Sequence, residues 1–237
     1  VGFEPRGVGR LAAARERLID MPGLLCLQGG REFTPGCVEM DRAVLALAPT
    51  PVTAVIAGAA RIGSDYDGAV SRARRHSERL GAEVVTVPDP RIDISGALAS
   101  LDAEVGLIVL PGGSPGGLLD VLTGAATAAV GERLLELHRG GVAVSGASAG
   151  AMVMCSRLIR ADGDGGIVSG LGLAEGLALP HWSPGVSRWP TPDDATLWGL
   201  PECGGVTIDV DNVSAIGQGE PSVRRDGVWS PVQRPIA

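Results

Sequence analysis

Short apolar runs alternate with amphipathic segments along the chain from Leu24 onward. The runs are rich in Val, Ile and Leu and are bounded by glycine, proline or polar residues, a pattern typical of buried strands. They cover Leu24–Gln28, Val52–Ala57, Ala82–Val87, Gly106–Leu110 and Val142–Ser145. Between them, hydrophobic residues recur at helical spacing over Val38–Ala48, Asp65–Leu80 and Ala126–Arg139. Strands that alternate with helices predict βαβ units.

This alternation predicts an α/β fold, a three-layer sandwich whose mostly parallel sheet is covered by helices on both faces. After about Gly170 the pattern changes to short strand-like pieces, which predict edge or antiparallel strands added to the same sheet near the C-terminus. These pieces are Leu177–Leu179, Val206–Val210, Ser214–Ile216 and Val228–Ser230. Residues 1–20 lack the pattern, so we expect an N-terminal extension followed by a single domain over residues 21–237.

Composition and charge narrow the classes of function. The chain has 237 residues and a formal net charge of −7, which argues against nucleic-acid binding because phosphates require basic patches. No apolar stretch reaches the roughly 20 residues that span a bilayer, and the charged residues 1–20 do not resemble a secretory signal. We therefore expect a cytoplasmic protein with no membrane partner. The four cysteines form no CxxC pair and predict buried, reduced thiols and no metal site.

The most informative motif is Gly-Ala-Ser-Ala-Gly-Ala at residues 146–151. It follows the strand Val142–Ser145 and precedes a helical pattern over Ala151–Leu158, which is the context of a nucleophile elbow. In such a turn the hydroxyl of Ser148 stands above the sheet, and the backbone N–H of Ala149 points to where an oxyanion would form. The flanking glycines are expected because side chains there would collide with the adjoining strand and helix. The alternative is a small-residue turn with an incidental serine.

A serine nucleophile needs a base, and the chain has three histidines. His76 and His138 lie in helical patterns and are interpreted as solvent-exposed helix residues. His181 follows a short apolar strand that ends at Pro180, and loops after strands face the ligand-binding edge of a doubly wound sheet. His181 is therefore the candidate base, and a loop histidine packed on Trp182 is the alternative.

Two aspartates are candidates for orienting the imidazole. Asp162 and Asp164 lie in a glycine-rich loop between Ser148 and His181. Either would complete a Ser, Asp, His order along the chain. Solvated turn residues are the alternative for both.

Two further glycine-rich loops follow the first and fourth predicted strands, at residues 28–33 and 110–117. Glycine in these loops allows backbone N–H groups to approach a substrate closely. Neither loop carries the GK[ST] ending of a phosphate-binding loop or the GxGxxG pattern of a dinucleotide site, so we expect no nucleotide cofactor and no cofactor of another kind.

These motifs together resemble peptidase family S51, which contains dipeptidase E and cyanophycinase. The resemblance extends over most of the chain from about Leu24. It includes both glycine loops, the turn at Ser148 with its Ala-Gly-Ala continuation, and the stretch 170–173 that leads to Pro180 and His181. The closing segment, Leu200-Pro201-Glu202 and residues 215–219, is also similar to the family.

The resemblance implies a class I glutamine amidotransferase-like domain with a flavodoxin-like sheet. It also implies a serine-type peptidase or amidohydrolase that cleaves a small peptide or isopeptide through an acyl-enzyme. Carried over by position, Ser148 is the nucleophile and His181 the base, with Asp164 as the acidic residue, or Asp162 if the loop aligns differently. The remaining implied site residues are Gly113 and Ala149 for the oxyanion hole, and Gly112 and Ser114 for substrate binding.

The motifs do not determine the substrate specificity or the class of function. Ser114 and Pro115 stand where family members usually place a polar Asn or Asp and then Thr or Gln, so neither aspartyl-dipeptide nor cyanophycin specificity carries over directly. Arg188 is a candidate for pairing with an acidic substrate group, and a surface arginine is the alternative. The alternative functions are a non-catalytic ligand- or partner-binding domain and an esterase, and a homodimer remains open.

Overall fold

The computed structural model describes residues 21–102, 104–160, 166–184, 192–210 and 212–235. Within these residues the strands are β1 (Leu25–Gln28), β2 (Val52–Val55), β3 (Glu83–Thr86), β4 (Leu107–Leu110), β5 (Ala143–Ala147), β6 (Arg157–Ile159), β7 (Ile167–Ser169), β8 (Leu177–Pro180), β9 (Leu197–Leu200), β10 (Gly204–Asp209), β11 (Asn212–Gly217), β12 (Ser222–Arg225) and β13 (Val228–Pro231). The helices are α1 (Val38–Leu47), α2 (Ser64–Arg79), α3 (Ile94–Ala99), α4 (Pro115–Thr123), α5 (Ala128–Arg139) and α6 (Ala149–Met154). A 3-10 turn, Pro35–Cys37, leads into α1.

The central sheet has seven strands in the order β11-β10-β1-β5-β4-β2-β3. Strands β1 to β5 run parallel to their neighbours among themselves, whereas β10 is antiparallel to β1 and to β11. The sequence pattern placed all five parallel strands within a few residues of their observed bounds. The prediction that β10 and β11 add antiparallel strands to this sheet is also confirmed.

Helices cover both faces of the sheet because successive side chains of each buried strand point to opposite sides. Leu25 and Leu27 of β1 pack in one cluster with residues of α3, α4, α5 and α6. Cys26, between them, packs on the other face against Val44 of α1. Helix α2 covers Val55 on that second face. The predicted three-layer α/β sandwich is confirmed.

The remaining strands correct one prediction. β8 and β9 are parallel and belong to a separate four-stranded sheet with the order β13-β12-β9-β8. The placement of Leu177–Leu179 and Val228–Ser230 on the central sheet is therefore wrong. Every residue of β8 and β9 is buried. An apolar run of this kind indicates burial on both faces but does not specify which strand lies beside it.

The helix after the 146–151 motif is shorter than its apolar pattern predicts. A helix over Ala151–Leu158 was expected, but α6 ends at Met154 and Cys155 is extended, with ψ 163°. The chain then enters β6, which pairs with β7 in a two-stranded sheet. The backbone N–H of Ser156 donates to the carbonyl of Ala174 at 2.7 Å, so a long-range contact replaces the next helical turn.

All four cysteines are free and buried, as expected from the sequence. Burial raises the pKa of the Cys155 thiol to about 12, which keeps it protonated. Among the residues that the structure describes, no helix combines the length and apolar character required to cross a membrane.

Candidate active site

Three neighbouring parallel strands end side by side at one edge of the central sheet. β5 lies between β1 and β4, and the register pairs Ala147 with Gln28 and Gly146 with Leu110. The loops that follow these strands therefore converge at their carboxyl ends, where ligands bind in open α/β sheets. The 146–151 motif and both glycine-rich loops singled out from the sequence meet at this edge.

Ser148 occupies a strained turn between β5 and α6. Its backbone has φ 48° and ψ −106°, a conformation that L-residues rarely adopt and that costs about 1–3 kcal/mol. A Cβ added at Gly146 would lie 2.5 Å from the carbonyl carbon of Gly150, and one added at Gly150 would lie 2.1 Å from the carbonyl oxygen of Leu110. The collision predicted for side chains at these glycines is confirmed.

His181 lies beside Ser148. Its Nε2 is 3.2 Å from Ser148 Oγ, within hydrogen-bond distance as the sequence predicted. The His181 backbone also has a positive φ of 53°, and its N–H donates to the carbonyl of Gly29 at 2.9 Å. A Cβ added at Gly30 would lie 2.4 Å from the imidazole Cε1, so this position has to be glycine for the ring to lie where it does. The loop after β1 thus fixes the position of the imidazole.

The other imidazole nitrogen contacts Glu202. His181 Nδ1 lies 3.2 Å from Glu202 Oε1, and Glu202 Oε2 lies 3.5 Å from Arg31 Nη1. The residues come together because β8 and β9 are parallel and end in register at Pro180 and Leu200. The side chains of His181 and Glu202 are 40% and 47% exposed, so water screens their attraction.

Sequence reasoning did not single out Glu202 as a site residue. The signal was available, because Glu202 follows the buried run Leu197–Leu200 just as His181 follows Leu177–Pro180. Asp162, Asp164 and Arg188 lie outside the described residues. Their predicted roles stay predictions.

The loop between β4 and α4 also passes close to Ser148, since a Cβ added at Gly112 would lie 3.3 Å from Ser148 Cβ. The Gly112 N–H donates to Glu32 Oε1 at 2.9 Å, and the Ser114 N–H donates to the Ala59 carbonyl at 2.9 Å. Ser114 Oγ also accepts from the Gly117 N–H at 3.0 Å, which caps α4. Substrate binding by Ser114 and Gly112 stays a prediction.

Two backbone N–H groups at this edge can donate a hydrogen bond to a ligand. The N–H of Gly113 has no hydrogen-bond partner among the described residues. Ala149 is the first residue of α6, where the N–H has no intrahelical acceptor. A cleft lined by Arg61, Asp65 and Arg72 borders Gly113, so the loop is accessible.

The other two histidines correct an interpretation. His76 and His138 are both buried, at 7% and 6% exposure, and are not solvated helix residues. His76 Nε2 lies 2.8 Å from Asp41 Oδ2, and His138 Nδ1 lies 3.2 Å from the Val142 carbonyl. Each histidine lies on the helix face turned toward the sheet; His76, for example, continues the buried stripe of Ala69 and Ala73. Burial lowers the pKa of His138.

Comparisons with known proteins agree with this architecture. The chain is similar to a crystal structure of a peptidase from an acI-B1 Actinobacterium, with TM-score 0.77, 22% identity, and 92% of this chain and 97% of that chain covered. It is also similar to a candidate peptidase E from Listeria monocytogenes EGD-e, with TM-score 0.64, 17% identity, and 84% and 100% covered. The comparison with curated proteins gave no match.

The family model for peptidase family S51 matches residues 50–197. This span is more than half of the chain and includes both Ser148 and His181. The chain belongs to peptidase family S51.

Proposed function

We propose that this protein is a serine-type peptidase that hydrolyses an amide bond of a small peptide or isopeptide through an acyl-enzyme. The observation that carries the proposal is the 3.2 Å separation of Ser148 Oγ and His181 Nε2 in a strained turn at the carboxyl ends of parallel strands. Membership of a peptidase family supports the same conclusion. Ser148 is half-buried and His181 is exposed, so a substrate can reach both.

In the proposed reaction, His181 Nε2 accepts the proton of Ser148 as Oγ bonds to the substrate carbonyl carbon. The N–H groups of Gly113 and Ala149 donate to the resulting oxyanion. The intermediate collapses when His181 returns the proton to the departing amine, which leaves an acyl group on Ser148. Water then attacks this ester with His181 again as base, which releases the acid and restores the serine.

Glu202 is the acidic residue of this proposal, with Asp164, or Asp162 if the loop aligns differently, as the alternative that the resemblance to the family implies. A carboxylate that accepts the Nδ1–H of His181 keeps that proton on Nδ1, so Nε2 presents its lone pair to Ser148. It also stabilises the imidazolium that forms during attack. Arg31 neutralises part of the Glu202 charge at 3.5 Å.

Labelling by a fluorophosphonate probe tests the proposal. The wild-type protein is expected to react at Ser148, identified by peptide mass mapping, whereas Ser148→Ala is expected not to react. Turnover should be measured on dipeptides, isopeptides and aryl esters, because faster hydrolysis of esters alone would favour an esterase. A wild-type protein that is neither labelled nor active on any of these substrates would refute the proposal and favour a binding domain.

The thiols support a proposal about the compartment. Four buried free cysteines fit a reducing environment, since disulfides persist mainly in oxidising ones. We therefore include the cytoplasm in the proposal.

A further inference from the structure

We infer that Glu32 is a positioning residue that holds the β4–α4 loop so that the Gly113 N–H faces the oxyanion. This inference rests on the proposed function, because it assigns a role to Glu32 in the same reaction. Its direct observation is the 2.9 Å hydrogen bond from the Gly112 N–H to Glu32 Oε1. Glu32 acts through Gly112 and makes no hydrogen bond to Ser148 or His181.

The loop is fixed on both sides of Gly113. Glu32 holds the N–H of Gly112, and the Ala59 carbonyl holds the N–H of Ser114. The intervening N–H has no partner among the described residues. Gly113 has φ 144°, and a Cβ there would lie 2.5 Å from the Ala59 carbonyl oxygen. Removing the Glu32 contact would release one side of a loop whose middle amide has to keep its orientation.

Glu32 and Ser148 flank the same glycine. A Cβ built on Gly112 would lie 2.8 Å from Glu32 Oε1 and 3.3 Å from Ser148 Cβ. The Glu32 hydrogen bond is therefore made at the point where the loop passes the serine. A displacement there is expected to change catalysis steeply, because a misplacement of about 1 Å can cost about 100-fold in rate.

The chain conformation around Glu32 is also unusual. Arg31 and Phe33, on either side, have positive φ values of 57° and 62°. Side-chain groups secure this turn, since Thr34 Oγ1 and Cys37 Sγ both donate to the Arg31 carbonyl, at 2.7 and 3.1 Å. Two such conformations, one on each side of Glu32, cost about 1–3 kcal/mol each and persist where surrounding contacts require them. Their effect here is to direct Glu32 to Gly112.

Two roles for this carboxylate make opposite predictions for Glu32→Gln. Glu32 forms no ion pair with a described residue, so its charge is not needed for a neighbouring cation. If Glu32 serves as a hydrogen-bond acceptor, a glutamine Oε1 replaces it. If the negative charge itself were needed, for example to bind a substrate ammonium, glutamine would fail as alanine does.

The experiment measures the saturation kinetics of Ser148 phosphonylation by a fluorophosphonate, which separates the maximal rate from the binding constant. Glu32→Ala is expected to lower the maximal rate about 10- to 100-fold with little change in the binding constant. Glu32→Gln is expected to stay within about threefold of wild type. Glu39→Ala, which removes an exposed glutamate from α1, is the matched control and is expected to react like wild type.

Amide hydrogen exchange supplies a readout that does not depend on reactivity. The Gly112 amide is expected to exchange at least about tenfold faster in Glu32→Ala than in wild type or Glu32→Gln. If Glu32→Ala does not fold, Glu32→Asp serves instead, because its shorter side chain withdraws the acceptor from Gly112. A wild-type rate in the alanine or aspartate variant, or a glutamine variant as slow as alanine, overturns the inference. An unlabelled wild type refutes the proposed function, and the inference with it.

Discussion

The molecule contains two imidazole–carboxylate pairs that differ in their surroundings. His181 and Glu202 are 3.2 Å apart with side chains 40% and 47% exposed. His76 and Asp41 are 2.8 Å apart with side chains only 8% and 16% exposed. By distance and burial alone, the buried pair is the tighter of the two.

The two pairs differ in which imidazole nitrogen contacts the carboxylate. The Nε2 of His181 faces the hydroxyl of Ser148, whereas the Nε2 of His76 is already used by Asp41. The other oxygen of Asp41 accepts from Gln28 Nε2 at 2.8 Å, in a network enclosed between α1, α2 and the sheet. A histidine–carboxylate pair becomes a candidate for catalysis when a reactive group and a substrate can reach it. The pair at His76 instead joins α1 to α2.

The largest expected effect is on turnover at the exposed pair. Ser148→Ala and His181→Ala are each expected to lower kcat by about 10⁴-fold or more, and the double variant scarcely further, because the two groups act as a unit. Ser145→Ala, which removes the serine beside the buried network, is the control and is expected to keep near wild-type kcat. Full activity in Ser148→Ala on the best substrate would exclude Ser148 as the nucleophile.

The buried pair is expected to affect stability and not chemistry. His76→Leu removes one hydrogen-bond partner of the Asp41 carboxylate, which keeps its bond from Gln28, and it should lower the free energy of unfolding by about 1–3 kcal/mol. Urea denaturation measures this change, and kcat per folded molecule should be unchanged. A loss of kcat with unchanged stability would mean that the buried pair takes part in the reaction.

Replacing the carboxylate of the exposed pair should have an intermediate effect. Glu202→Gln is expected to lower kcat about 100-fold, less than loss of the serine, because water reaches this half-exposed group and substitutes in part. Asp164→Asn is the matched control and should leave kcat close to wild type. The reverse pattern would return the orienting role to Asp164.

A smaller effect is expected in the pH dependence of stability. Burial lowers the pKa of His138 in the folded chain, so the unfolded chain takes up a proton first as the pH falls. Wild type should therefore lose stability as the pH falls below about 6.5, while full stability is present above that value. Melting temperatures of wild type and His138→Gln, measured between pH 8 and about 5, should differ more and more as the pH is lowered. Parallel curves would show that His138 titrates alike in both states.

Much of this protein could be predicted from local sequence. The five parallel strands and three long helices follow from hydrophobic periodicity, and the turn at Ser148 follows from its flanking glycines. His181 was identified because it follows an apolar run. These features depend on residues close together in the chain, where the strand and helix periods and the steric demands of a tight turn act directly.

Long-range pairing decided the rest. The sequence did not reveal that β8 lies beside β9, and so it missed that Glu202 would meet His181. Likewise, Glu32 reaches Gly112 across 80 residues of chain only because β1, β5 and β4 end together. A buried apolar strand satisfies its pattern beside many partners, whereas hydrogen-bond register and packing against the helices select one arrangement. That selection determined which carboxylates lie in the site.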